Sequence, residues 1–130
     1  MRQISTLLLA LPALAMAHHS GAMFDMTKTL TLAGTVTEFN WTNPHSSFKV
    51  EVTGADGKPQ IWAIEMNSPQ NLIPLGWKRT TIKNGDKVSV VIHPLRDGQP
   101  GGVYMSITLA DGRVMDGNGP SPYSGAAPAQ

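Results

Sequence analysis

The 130-residue sequence contains no cysteine, so neither a disulfide framework nor a thiolate metal site is open to it. Any metal has to be held by histidine, methionine, carboxylate or a free amine. The sequence also lacks an excess of one charge: ten Lys and Arg stand against nine Asp and Glu, and loss of Arg2 with an N-terminal leader balances the two. Nucleic-acid binding draws much of its affinity from neutralised phosphates, so nucleic acid is not an expected partner. The apolar run from Ile4 to Leu14, broken by Pro12, falls short of the roughly 20 residues a membrane helix needs. There is no Ser-His-Asp spacing, glycine-rich phosphate loop, paired-carboxylate signature or helical His-x-x-x-His. Nothing in the sequence is positive evidence for an enzyme.

What is present begins with an export leader. Arg2 supplies a basic start, the apolar run follows, and Ala13-x-Ala15 and Ala15-x-Ala17 are overlapping small-x-small cleavage sites. Residues 1–17 are therefore expected to be a signal peptide, with a periplasmic destination and no membrane span after cleavage. A cut after Ala17 makes His18 the first residue and presents its α-amine and imidazole together. A cut after Ala15 makes His18 the third residue, where amine, two amides and imidazole form the square-planar nitrogen set that suits Cu(II) or Ni(II). Both registers give a metal-binding terminus.

After an arm over 18–28, the pattern turns to strands. Thr29 to Trp41 is rich in Thr, Val, Leu and Phe, and its apolar parity switches, which predicts a bulge or bend at Gly34. Asn43-Pro44 marks a turn. Phe48, Val50 and Val52 then alternate with Ser47, Lys49 and Glu51, the signature of a half-buried strand. Asp56-Gly57 predicts a hairpin to a strand over residues 60–66, whose run Ile61-Trp62-Ala63-Ile64 predicts burial on both faces. Ser68-Pro69 predicts a helix start with Ser68 as N-cap, and Gly76 a stop. Val88, Val90 and Ile92 give a fourth strand; Val103, Met105, Ile107 and Leu109 give a fifth; Asp111-Gly112 offers a short return through Val114. The residues from 116 to 130 are Gly-, Pro-, Ser- and Ala-rich and are expected to form a disordered tail.

Three strands, one short helix and two further strands are the order of a five-stranded oligonucleotide/oligosaccharide-binding (OB) Greek-key barrel, an all-β fold, here expected over 29–115 with its helix between strands three and four. An antiparallel sandwich is the alternative. The expected core comprises Leu32, Val36, Phe48, Val50, Ile61, Ile64, Leu72, Val88, Val90 and Ile107.

The candidate ligands are few. His18 and His19 have no packing reason to stand at an exposed terminus. His45 follows a turn proline, and His93 ends a strand before Pro94; each, taken singly, also fits a plain surface histidine. Met23 and Met26, in a polar arm near the first two histidines, are soft thioether donors suited to Cu(I) when thiolate is absent. Trp41, Trp62 and Trp77 fit either a ligand-binding face or core packing. Glu65, at the end of an apolar strand, needs a partner such as Lys, Arg, a backbone group or a metal.

Several short motifs occur together: His18-His19-Ser20 after the leader, Met23-Phe24-Asp25, Gly34-Thr35-Val36, Trp41-Thr42-Asn43-Pro44-His45, Ser68-Pro69, Gly76-Trp77 and Gly85-Asp86-x-Val88. In this order they resemble an uncharacterised family of small secreted bacterial proteins, a domain of unknown function. The resemblance implies a Gram-negative periplasmic setting and singles out His18, His19 and His45, but implies no activity. Ligand chemistry then gives the functional expectation. The expectation is that the protein binds or handles copper through its N-terminal histidines, with Met23, His45 or His93 as further ligands and a periplasmic metal-transfer partner. The alternative is a small organic ligand, saccharide or peptide held on a tryptophan-bearing face.

Overall fold

The computed structural model describes residues 21–117; the expected leader, His18 and His19, and the tail from residue 118 onward lie outside them. A 3-10 turn, Gly21–Met23, leads into β1 (Leu30–Asn40), β2 (Ser47–Thr53) and β3 (Pro59–Glu65). The helix α1 (Pro69–Leu72), a 3-10 turn (Ile73–Leu75), β4 (Lys87–Pro94), β5 (Gly101–Thr108) and β6 (Val114–Asp116) follow. The sheet runs β3-β2-β1-β4-β5-β6, and a parallel pairing of β3 with β5, Ala63↔Gly101 to Glu65↔Val103, closes the first five strands into a barrel. This is the OB topology, with its helix between β3 and β4 as the strand order predicts. The short β6 adds to β5 beyond the closure, pairing Ser106↔Asp116 through Thr108↔Val114.

The alternation in β2 and β4 puts Val50 and Val90 at 0% exposure. Leu32, Val36, Phe48, Ile64, Leu72, Val88 and Ile107 are buried with them. Ile61 is not: it is 43% exposed. It pairs with Glu51 on the outer face of the β2–β3 ribbon, whereas its neighbour Trp62 pairs with Val50. Among the described residues no element covers the outer face there, so the apolar run is not the mark of a doubly buried strand. Leu72, at the end of α1, is the plug that the short helix inserts into the core. Ser68 occupies the N-cap position without a side-chain capping bond. Asn67 Oδ1 instead accepts from the Ser68 N–H and from Asn71 Nδ2, both at 2.8 Å. Gly76 ends the segment at φ 90°, a left-handed conformation that suits glycine.

The irregularity in β1 lies between Val36 and Glu38, where the register against β2 shifts, and not at Gly34. Gly34 answers a different need, since a Cβ there would overlap the Glu51 carbonyl oxygen and crowd Val50 Cγ1. The backbones of β1 and β2 approach too closely at this point for any side chain. Gly34→Ala is therefore expected to destabilise the barrel by about 1–3 kcal/mol through overpacking, read as a lowered urea midpoint. An unchanged midpoint would show that the two strands separate freely.

The tryptophans form no exposed platform. Trp77 is 1% exposed and meets Tyr104 edge-on, with ring centroids 5.6 Å apart at 89°. Phe39 stands 6.2 Å from Trp77 and 5.9 Å from Trp41, and Trp41 and Trp62 are half-buried against the same core. The Tyr104 hydroxyl donates to the Met115 carbonyl at 2.6 Å and so ties β6 to β5. Burial pushes the Tyr104 phenol well above its ordinary pKa, opposed in part by the Trp77 indole. That bond therefore keeps its proton throughout the working pH range.

Candidate functional site

The described part of the N-terminal arm packs into the domain around Phe24, which is 2% exposed and bridges to Leu95 just after β4. Backbone bonds seal it on both sides: Asp25 N–H donates to Pro94 O at 2.8 Å, and Arg96 N–H to Met23 O at 2.9 Å. The Arg96 guanidinium adds a bond from Nε to Ala22 O at 2.9 Å, and its Nη1 lies 4.0 Å from Asp25 Oδ1. Hydrogen bonds from the Thr27 hydroxyl and N–H, with Lys28 alongside, hold the Asp25 carboxyl below its ordinary pKa. The clasp keeps its charge under mild acid.

On the other side of the arm, the turn after β1 brings His45 to the end of β3. Buried Ser46 makes the connection: its N–H donates to Asn67 O at 3.0 Å, and its carbonyl accepts from Met66 N–H at 2.9 Å. The Asn43–Pro44 bond in this turn is cis. His45 Nδ1 is then 3.3 Å from Met66 O and 4.0 Å from Glu65 Oε1. An Nδ1–H is placed to donate to that carbonyl.

Met23, Phe24 and Leu95 from the clasp and His45, Phe48 and Glu65 from the barrel line one cleft of about 410 Å³. Of the ligands expected from sequence, the fold thus brings Met23 and His45 together. His93 does not line the cleft; its Nδ1 lies 2.7 Å from the Lys28 carbonyl, where it ties the arm to β4. Met26 is 46% exposed and also lies outside the cleft lining. Met66, a further thioether just after β3, is core at 1% exposure. Among the described residues, no three His, Cys, Asp or Glu side chains converge as a metal-holding group.

A family model matches residues 7–105, that of a family of unknown function, DUF6152. The chain belongs to this family. The assignment agrees with the resemblance carried by the Trp41-to-His45 and Gly85-to-Val88 motifs. No curated protein matches the DUF6152 chain. Among solved structures, two crystal structures of Rim1, the mitochondrial single-stranded DNA-binding protein of S. cerevisiae, are similar to it. One is 15% identical with a TM-score of 0.49, covering 64% of this chain and 93% of the other. The second, of selenomethionine-labelled protein, is 18% identical with a TM-score of 0.45, covering 64% and 94%. Among the described residues of the DUF6152 chain, no helix is long and apolar enough to cross a membrane.

Sequence reasoning gave Phe24 no role beyond the Met23-Phe24-Asp25 motif and did not find Leu95 or the Arg96–Asp25 contact. Phe24 stands in a polar arm with no period, and Leu95 lies alone between Pro94 and Arg96. Only the long-range bridge between arm and β4 gives these residues a shared role.

Proposed function

We propose that this is an exported, periplasmic copper-binding protein whose mature N-terminus, His18-His19, shares one Cu(II) with His45 at the mouth of the cleft. The observation that carries the reading is that Met23 and His45 line the same cleft. Met23 is only a few residues after His19, and the clasp at Phe24 fixes that stretch of chain to the barrel. Two peptide units separate His19 from Gly21, so their Cα atoms are at most about 7 Å apart. That short covalent span supports a role for the N-terminal histidines at the cleft. Cu(II) heads the divalent affinity order, favours tetragonal nitrogen sets and needs no thiolate. Met23 supplies the thioether that takes up part of the coordination on reduction to Cu(I), which suits transfer to a periplasmic partner. The balanced charge of the chain argues against nucleic acid as that partner.

Protein exported with its native terminus is expected to bind one Cu(II), with nitrogen hyperfine structure in its electron paramagnetic resonance spectrum. Absence of stoichiometric copper would overturn the reading. Affinity should fall as pH drops below about 6.5, because imidazoles and the amine must lose protons to ligate. Asp25 behaves oppositely: its pKa is lowered, so its folded-state bonds persist down through the ordinary carboxylate range. Copper is therefore expected to leave near pH 5 while the arm stays docked, as read by amide exchange at Asp25 and Arg96. Release of arm and metal at the same pH would contradict this order.

A further inference from the structure

We propose that the cleft beside His45 binds a small primary amine with an apolar body, the Glu65 carboxylate acting as its counter-ion. The inference rests on the cleft's own residues and stands whether or not copper binds. Phe24, Phe48, Ile64 and Leu95 supply an apolar lining, and about 410 Å³ falls in the size range of small-molecule sites. Glu65 is the acidic group in that lining, and its side chain is only 23% exposed. A carboxylate among apolar groups is costly unless a donor or cation meets it. Among the described residues the nearest cationic or ring nitrogen is His45 Nδ1 at 4.0 Å, too far for a hydrogen bond. That nitrogen is already 3.3 Å from the Met66 carbonyl. Lys49, the other charged residue of the lining, directs its ammonium to Glu38 on β1 at 2.9 Å. Among the described residues the cleft thus presents one carboxylate with no cation closer than 4.0 Å, beside a largely apolar lining. A ligand with a single ammonium and a hydrocarbon or single-ring body is complementary to it, whereas a carboxylate or a polyhydroxylated sugar is not.

The test is calorimetric titration of copper-free, full-length exported protein carrying His18→Ala with three probes of one shape: phenethylamine, 2-phenylethanol and phenylacetate. The amine is expected to bind about tenfold or more tighter than the alcohol, because a charge-assisted bond to Glu65 replaces a neutral one. Phenylacetate should bind weakest. Glu65→Gln should abolish the preference for amine over alcohol while circular dichroism stays native, and Lys83→Ala, at an exposed ion pair outside the lining, should leave it intact. Alcohol or acid binding as tightly as amine, or no amine binding by folded protein, would overturn the proposal. So would an amine preference that survives in Glu65→Gln. None of these results depends on copper, so failure here and failure of the copper reading are distinguishable.

Discussion

Val90→Asp is expected to leave the chain unfolded at room temperature. Val90 is fully buried, pairs with Leu32 of β1 on one side and Ile107 of β5 on the other, and so sits in the middle of the barrel wall. The substitution gives up about 1.5–3 kcal/mol of side-chain burial and places a carboxylate where no donor is at hand. An unpaired buried charge is worth several kcal/mol by itself. Small domains are stable by only about 5–15 kcal/mol in total. The sum of the two losses therefore reaches the whole margin. Val50→Asp, equally buried on β2, should behave the same way. Lys49→Ala, one residue along and on the outer face, removes an exposed ion pair with Glu38 and is expected to leave the melting curve within experimental scatter. Circular dichroism with thermal melts distinguishes these outcomes. A native melt for either Asp variant would mean that the inward and outward faces of these strands have been exchanged.

The same comparison shows why much of the barrel could be read from the chain. In β2 and β4 each residue faces either core or solvent, so a period of two in polarity is a direct image of the fold. The method fails at Ile61, where an apolar side chain lies on the outer face and the sequence carries no sign that nothing covers it. It fails differently at Gly34. Both a bend and a close approach call for glycine, and only the position of the Glu51 carbonyl separates them. The site was legible in a narrower sense. His45 and Met23 declared themselves by residue type, and the Asn-Pro turn placed one of them at a strand end. That they line one cleft depends on three contacts remote in sequence: Phe24 on Leu95, Ser46 between Asn67 and Met66, and Arg96 on Ala22. None of these has a local signature. His93 carries the same residue-type signal as His45, yet its ring bonds the Lys28 carbonyl and holds the arm in place.

Adding one residue ahead of His18, or changing His18 to Ala, is expected to cost at least about 100-fold in Cu(II) affinity while the barrel stays folded. The first change removes the α-amine from the His18 chelate, and the second removes the imidazole. Loss of residues that merely orient a ligand commonly costs 10–100-fold, so loss of a ligand itself should reach or exceed the upper value. Neither change touches the described core, and the clasp from Ala22 to Asp25 remains to hold the arm. His45→Ala acts on the other half of the site. Its ring is delivered by the barrel, so its loss should leave a terminal complex of lower affinity and altered spectrum. In the proposed site the two halves would act as linked ligands, each raising the effective concentration of the other. Removing the link without removing a ligand provides the sharper check. Phe24→Ala removes the buried side chain at the centre of the clasp and should move the copper spectrum of the whole protein toward that of His45→Ala. Copper titrations of the four variants, read by electron paramagnetic resonance, test this. If the extended and His18→Ala proteins bind as tightly as the parent, the metal is not held at the terminus, and the cleft with Glu65 becomes the ligand site on its own.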